Sequence, residues 1–157
     1  KKKIAAAIKK KYKINLKYIT SRGNWYHYSW KGDIEKSGGL VTNIGIHFFD
    51  MLIWIFGDCL NSEVTFMNEK RASGYIDLQN AEVRWELSID KNDLPAGINK
   101  KTYRSLQIDG EELEFSEGFG DLHTEVYKNI LAGKGFTIED CRKSIELAYK
   151  IRNSKSN

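Results

Sequence analysis

Residues 37–50, which read S-G-G-L-V-T-N-I-G-I-H-F-F-D, decide how the surrounding chain folds. The glycine pair opens an apolar run that continues to Phe56, and the spacing of this run predicts a helix. At about 100° per residue, Asn43, His47 and Asp50 fall within about 60° of one another on that helix. The rest of the run is apolar all round. We therefore expect a buried helix that bears one narrow polar stripe.

The polar stripe has two interpretations. A histidine among apolar residues is commonly a hydrogen-bonded core residue, and Asp50 could bind the backbone amides of a neighbouring loop. Alternatively, the stripe is a reaction site, because burying polar groups is costly unless they have partners or a task. The unperturbed pKa of histidine lies near neutrality, which suits His47 to accept and donate protons.

Length, charge and cysteine content narrow the class of protein. A chain of 157 residues is long enough for one domain with a real core. Residues 1–17 hold eight lysines and no acid, so the other 140 positions have 17 basic and 21 acidic residues, a net charge of −4. The basic charge is therefore local, which argues against a nucleic-acid binder. Cys59 and Cys141 lack metal-site spacing, and unpaired cysteines fit a reducing cytoplasm.

The first third of the chain predicts a strand, a long connection and a helix. Residues 4–11 have the pattern of a helix tail, and alternation of apolar and polar residues predicts a strand over 12–20. Residues 21–39 form a long aromatic connection without clear structure of its own, and such connections are often functional. The helix is expected over about 38–56, ending at Gly57. The apolar run over residues 44–56 is too short and too interrupted to span a bilayer.

After the helix the period changes to two residues, which predicts strands and then two terminal helices. The strands are expected at 63–68, 72–80, 81–90, 104–109 and 112–115, and the helices at 121–132 and 138–152. This order favours an α+β fold, with an open, mostly antiparallel β-sheet and helices on one face. Trp85 and Leu87 alternate with Arg84 and Glu86, so one sheet face needs cover. A partner subunit is the simplest cover.

Short motifs predict one hairpin turn and one helix cap, and they exclude the usual dinucleotide-binding site. Asp109-Gly110 is a strong hairpin-turn signal, and Thr137 is a good N-cap for the last helix. The chain has no G-x-G-x-x-G after a strand, no P-loop and no alternating β-α-β-α series. It therefore cannot by itself bind a dinucleotide in the usual way.

The motif and its surroundings resemble the C-terminal half of the Gfo/Idh/MocA family of NAD(P)-dependent sugar oxidoreductases. The family motif, a glycine pair followed by a polar residue and G-x-H-x-x-D, stands here as Gly38-Gly39, Asn43, Gly45, His47 and Asp50. Further stretches are similar to one subgroup, the UDP-N-acetylglucosaminuronate 3-dehydrogenases of bacterial surface-polysaccharide biosynthesis. These stretches are residues 18–26, 29–33, 36–39, 42–50, 103–105 and 121–124.

The resemblance implies that residues 1–157 are a substrate-binding and oligomerisation domain, with 1–11 the tail of a helix or a linker from an absent Rossmann domain. That domain would bind NAD or NADP and supply a catalytic lysine. The implied reaction oxidises the C3 hydroxyl of UDP-N-acetylglucosaminuronate and passes hydride to NAD⁺, so the present chain alone should be inactive. The implied whole protein is a cytoplasmic homo-oligomer, a dimer or tetramer joined through the sheet face, without a nucleic-acid, membrane or metal partner.

The resemblance also assigns site residues. His47 is implied as the catalytic base or proton relay. Asn43 stands where many family members have aspartate; an amide can orient the imidazole or hold a sugar hydroxyl, but it cannot stabilise an imidazolium by charge. Arg22 and Lys31 would pair with the diphosphate and the carboxylate of the substrate. The other substrate-binding candidates, which would stack on uracil or the sugar or bond to them, are Trp25, Tyr26, Ser29 and Trp30.

Two alternatives stay open. Another enzyme of the same family would act on a free hexose or inositol, but a free sugar has no diphosphate for the cationic, aromatic connection to neutralise. A non-catalytic oligomerisation or binding module would use the sheet as an interface and keep His47 as a core residue. In that case the aromatic residues pack the connection onto the sheet, and Arg22 and Lys31 are only solvated.

Overall fold

The computed structural model describes residues 10–113 and 122–154. Its strands are β1 (Tyr12–Thr20), β2 (Cys59–Met67), β3 (Arg71–Leu78), β4 (Ala81–Ser88), β5 (Thr102–Ile108) and β6 (Glu111–Glu112). Its α-helices are α1 (Trp25–Tyr28), α2 (Ile34–Ser37), α3 (Ile46–Phe56), α4 (Leu122–Leu131) and α5 (Ile138–Arg152). The predicted helix tail at 4–11 falls almost entirely outside the described residues, as do the end of the last predicted strand and residue 121.

The six strands form one sheet in the order β2-β3-β4-β1-β5-β6. Only β1 and β4 are parallel, while every other neighbouring pair is antiparallel, which confirms the predicted mostly antiparallel sheet. Asp109 and Gly110 have φ of 51° and 89° and join β5 to β6, as a tight hairpin with two left-handed residues requires. The start of α5 is also as predicted, because the Thr137 hydroxyl accepts from the backbone N–H of Asp140.

Helices cover one face of the sheet. The side chains of Phe49, Leu52 and Phe56 on α3 are almost completely buried, and the ring of Phe49 lies 5.5 Å from that of Trp85, edge to face. Leu147 and Ile151 of α5 join the same core, since α5 packs along α3. The α+β architecture with helices on one face is therefore confirmed.

The apolar face of the sheet is covered from within the chain. Trp85 and Leu87 are fully buried beneath α3, so their cover is the chain's own helix and needs no partner subunit. The opposite face is open and mixed, because the exposed Tyr75 is the register neighbour of Arg84 there. There Lys17 forms a salt bridge of 2.8 Å with its register neighbour Glu86, beside the exposed Arg84.

The expectation of a helix buried all round is wrong. The sheet takes only one side of α3, and His47, Asp50 and Trp54 on the other side are exposed, the last by 60%. The physical reason is the two-layer architecture, in which a helix presents one stripe to the sheet and the other away from it. The predicted polar stripe at His47 and Asp50 is therefore present, but it faces away from the sheet and is not buried.

The stretch Ile34–Phe56 is longer than the apolar run considered in the sequence. Among the described residues, it is long and apolar enough to cross a membrane by length and composition, with a mean hydropathy of 1.5. The core helix of a soluble protein passes the same test, so this observation is weak evidence for a span. Phe49, Leu52 and Phe56 pack in the core of this domain, as residues of such a core helix do.

Gly45, the glycine of the G-x-H motif, allows the helix to approach the sheet. It ends a π-helical turn (Val41–Gly45) that leads directly into α3. A Cβ atom on Gly45 would lie 2.9 Å from Cε2 of Phe49 and 3.0 Å from Cδ1 of Leu87. Both neighbours are fully buried and have little room to move. The motif glycine is thus explained by packing alone.

We expect Gly45→Ala to lower the free energy of unfolding by about 1–3 kcal/mol through overpacking. This cost exceeds the gain of up to about 1 kcal/mol that alanine brings to a helix. Urea unfolding would measure the change. In a Phe49→Leu background, which removes the ring atoms nearest the new methyl group, the cost should shrink. A Gly45→Ala protein as stable as the wild type would contradict the packing explanation.

Candidate active site

The connection over residues 21–39, here called the aromatic segment, has more structure than the sequence indicated. It contains α1, a 3-10 turn (Trp30–Gly32) and α2, each only one turn long. The Ser29 hydroxyl donates to the carbonyl oxygen of Tyr26 (2.8 Å), and the Asp33 carboxylate accepts from two backbone amides at the start of α2. The segment is therefore held by local side-chain bonds rather than by a regular element.

The glycine pair turns the chain from α2 into the motif helix. Gly38 and Gly39 have φ of 75° and 72°, a left-handed conformation that other residues rarely adopt. The buried Ser37 hydroxyl accepts from the Gly39 backbone N–H at 3.0 Å. Ser37 is not among the predicted site residues, although a serine two residues before the bonded amide is a known turn signal.

Asn43 ties the aromatic segment to the motif helix. It lies in the π-helical turn, and such turns occur frequently at functional sites. Its half-buried amide donates to the carbonyl oxygen of Lys31 over 3.4 Å and also hydrogen-bonds the hydroxyl of Tyr26. Asn43 thus contacts the aromatic segment, and neither of these bonds is to the imidazole of His47.

Tyr26 is the buried anchor of the aromatic segment. Its side chain is only 4% exposed, and its ring meets those of Trp25 and His27 edge-on at 5.9 Å. Burial raises the pKa of the Tyr26 hydroxyl, while the charge of Arg22 and the bond from Asn43 partly oppose that rise. Because the ring is enclosed, stacking on a ligand would fall to Trp25 and to Trp30, which is 57% exposed.

The two predicted cations stay accessible. Arg22 and Lys31 are exposed, and neither makes a salt bridge within residues 10–113 and 122–154. The Lys31 ammonium lies 5.8 Å from the centre of the Trp30 ring, in cation–π range. The backbone N–H of Arg22 donates to the carbonyl oxygen of Ile89 (3.2 Å), which fixes the start of the segment beside the end of β4.

The histidines and cysteines lie apart. His27 is on α1, His47 on α3 and His123 on α4, and all three are exposed. Among the described residues, no group of three or more His, Cys, Asp or Glu side chains could hold a metal ion. Cys59 and Cys141 are both free thiols, and burial raises the pKa of Cys59.

We expect Tyr26→Phe to lower the free energy of unfolding by about 0.5–1.5 kcal/mol. The substitution keeps the ring but leaves the Asn43 amide without one of its partners. Chemical denaturation would measure the difference. Tyr28→Phe is the matched control, because Tyr28 is 90% exposed and its hydroxyl can bond water in both states. Equal losses in the two variants would contradict the anchoring role.

The motif helix and the aromatic segment lie in the part of the chain that matches a known protein family. A family model described as the oxidoreductase family, C-terminal alpha/beta domain, matches residues 1–90, which include β1, the aromatic segment and the motif helix. The chain belongs to the Gfo/Idh/MocA oxidoreductase family. Within this family's C-terminal domain, the π-helical turn and α3 hold the G-x-H-x-x-D motif, and the aromatic segment packs beside it.

Solved structures give the same family assignment over the whole chain. The WlbA (WbpB) dehydrogenase from Thermus thermophilus, in complex with NAD and alpha-ketoglutarate, is 48% identical with a TM-score of 0.93 over 100% of this chain. The same enzyme in complex with NAD and UDP-GlcNAcA is 46% identical with a TM-score of 0.91 over 99% of this chain. The chain spans only about half of these relatives, 52% and 51% of their length.

A more distant relative shares the fold. The WlbA dehydrogenase from Bordetella pertussis, in complex with NADH and UDP-GlcNAcA, matches 90% of this chain with a TM-score of 0.66. Its sequence is 17% identical, so this likeness concerns the fold alone. This chain again spans about half of its length, 52%.

Proposed function

We propose that this chain is the substrate-binding and oligomerisation half of an NAD-dependent dehydrogenase that oxidises C3 of UDP-N-acetylglucosaminuronic acid in surface-polysaccharide biosynthesis. One observation carries the proposal most strongly: His47 is exposed on the motif helix, beside an aromatic segment whose Arg22 and Lys31 make no salt bridge within residues 10–113 and 122–154. The 46% identical relative crystallised with NAD and UDP-GlcNAcA supports the same substrate class.

The reaction needs a base, a clamp and a stabilised alkoxide. His47 takes the proton of the C3 hydroxyl or relays it, and its exposed position leaves room for a sugar above the helix. Trp25 and Trp30 stack on the uracil or the sugar, and Arg22 and Lys31 neutralise the anionic groups. Ser29 and the amide of Asn43 supply further polar contacts.

The described residues do not form a dinucleotide site. The sheet is mostly antiparallel, and within residues 10–113 and 122–154 no strand leads through a glycine-rich turn into a helix, as the usual dinucleotide site requires. In the proposal, a Rossmann domain in the other half of the protein binds NAD⁺ and supplies the catalytic lysine. NAD⁺ bound there accepts the hydride that leaves C3, so the products are the 3-keto sugar, NADH and a proton.

The same proposal assigns the remaining surfaces and the compartment. The exposed stripe of α3 faces the nicotinamide-binding half, which explains why its polar residues are not buried here. The open sheet face, with Lys17, Arg84 and Glu86, joins copies of the protein into a dimer or tetramer. The protein works in the cytoplasm, where nucleotide sugars and NAD are present and where free thiols such as Cys59 stay reduced.

The test is NADH formation by the complete protein. UDP-N-acetylglucosaminuronate should be oxidised, while UDP-N-acetylglucosamine, glucose and myo-inositol should react poorly. If the protein prefers a free sugar, the family assignment stands but the proposed substrate is wrong. The 157-residue chain alone should form no NADH, and turnover by it would contradict the division of labour between the halves.

Oligomerisation needs its own measurement. Sedimentation of the complete protein should give a dimer or tetramer at micromolar concentration. Arg84→Glu, which reverses one charge on the open sheet face, should shift the distribution toward monomer. A wild-type protein that sediments as a monomer would refute the interface.

A further inference from the structure

A cleft opens where β1 and β4 end. Because these two strands are parallel, their carboxyl ends lie side by side, and a cleft of about 360 Å³ forms beyond them. Its walls are residues 21–24 and 27 of the aromatic segment, residues 89–92, and Lys70 just before β3. Two backbone bonds join these walls: Arg22 N–H to Ile89 O (3.2 Å) and Ile89 N–H to Lys70 O (2.9 Å).

The cleft is cationic and its charge is not neutralised. Arg22, Lys70 and Lys91 line it, and none of the three makes a salt bridge with any residue in the described parts of the chain. Its one carboxylate, Asp90, lies 3.7 Å from the guanidinium of Arg71 and so already has a cationic neighbour. Unpaired charge of one sign that lines a concavity attracts a ligand of the other sign.

The wall that bears Lys91 is held rigidly. The Asp90 carboxylate accepts from the backbone N–H of Asn92 at 2.9 Å, and Asp93 binds both the Ser88 hydroxyl and the Arg71 guanidinium at 2.6 Å. These bonds fix the 3-10 turn (Lys91–Asp93) against the end of β4. A fixed wall reduces the ordering cost when a ligand binds.

We propose that this cleft is an oxyanion-binding site that takes the diphosphate of the nucleotide sugar; the assignment of the diphosphate rests on the proposed function. Three cations suit a diphosphate better than a carboxylate, which offers only one charge and two oxygens. The cleft adjoins the candidate active site through consecutive residues, because His27 lines it while Tyr26 hydrogen-bonds Asn43, one turn before His47. Lys70 and Lys91 are new assignments and have no counterpart in the motif.

The test uses the complete protein and inorganic pyrophosphate as the probe. Pyrophosphate affinity is measured by calorimetry, and KM and kcat are measured with UDP-N-acetylglucosaminuronate. We expect Lys70→Ala with Lys91→Ala to weaken pyrophosphate binding and to raise KM by about 10-fold or more, with kcat nearly unchanged. The double variant Lys70→Arg, Lys91→Arg keeps both charges. It should therefore retain most of the pyrophosphate affinity and a KM close to that of the wild type. Lys134→Ala, an exposed lysine outside the cleft, is the control.

Each outcome decides the proposal. Pyrophosphate affinity unchanged in the double alanine variant overturns the site. Weakened pyrophosphate binding with an unchanged KM overturns the diphosphate assignment, and so does binding of 2-oxoglutarate in preference to pyrophosphate. Consider a wild type that oxidises no nucleotide sugar and a double alanine variant that still binds pyrophosphate more weakly than the wild type. In that case the oxyanion site stands and the proposed function fails.

Discussion

Replacing His47 with alanine is expected to lower kcat of the complete protein for UDP-N-acetylglucosaminuronate about 10²- to 10⁴-fold, the usual contribution of a positioned proton-transfer group. KM should change little, because in the proposed function the imidazole acts on the reacting hydroxyl while the aromatic segment supplies the binding contacts. His47 is exposed, so its loss leaves no cavity and the variant should fold as the wild type does. Initial rates of NADH formation over a range of substrate concentrations measure both constants.

The control for His47 is another histidine of similar exposure. His123 lies on α4 and is exposed, and it is outside both the motif helix and the aromatic segment. His123→Ala should therefore keep kcat within about twofold, as expected for a surface substitution. If His47→Ala keeps full activity as well, His47 has no catalytic role and proton transfer belongs to the other half of the protein.

Phe49→Ala is expected to have the largest effect on stability, a loss of about 3–5 kcal/mol. Phe49 is fully buried and joins α3 to the sheet through its edge-to-face contact with Trp85. Its removal leaves a cavity between the two layers that neither the sheet nor α5 can fill without moving. The loss is a large part of the total stability of about 5–15 kcal/mol that is usual for a domain.

Urea unfolding compares Phe49→Ala with a matched control. Phe136 is the same residue type but is 78% exposed, so Phe136→Ala should change the free energy of unfolding by less than about 0.5 kcal/mol. The midpoint for Phe49→Ala should fall strongly while the slope stays similar. A small shift for Phe49→Ala would mean that α3 is held to the sheet by other contacts.

Local patterns in the sequence were sufficient for elements with a clear period or a defined cap. The strand Tyr12–Thr20 and the helix Ile138–Arg152 have the predicted bounds, because strict alternation marks the first and Thr137 fixes the start of the second. The glycine pair was also recognised as the entry to the motif helix. In each case the signal lies within a few residues of the structure that it determines.

Features that depend on distant residues could not be predicted in this way. The helices α1 and α2 are single turns, too short to show a period, and are fixed by contacts such as that between Tyr26 and Asn43. The exposed side of α3 bears the polar His47 and Asp50, but half-buried apolar residues such as Phe48 and Ile53 flank it, so the run as a whole predicted a helix buried on every side. The cationic cleft brings Lys70 and Lys91 to Arg22 only because β1 pairs with β4.

The parallel pairing of β1 with β4 also bears on the order in which the domain assembles. β1 lies in the middle of the sheet, where Tyr12 pairs with Ala81 and Ile14 with Ile108. During synthesis this first strand leaves the ribosome long before either neighbour exists, whereas β2, β3 and β4 can pair as soon as each is made. Long-range pairing slows folding. We therefore expect the meander of β2, β3 and β4 to form first and the centre of the sheet to close last.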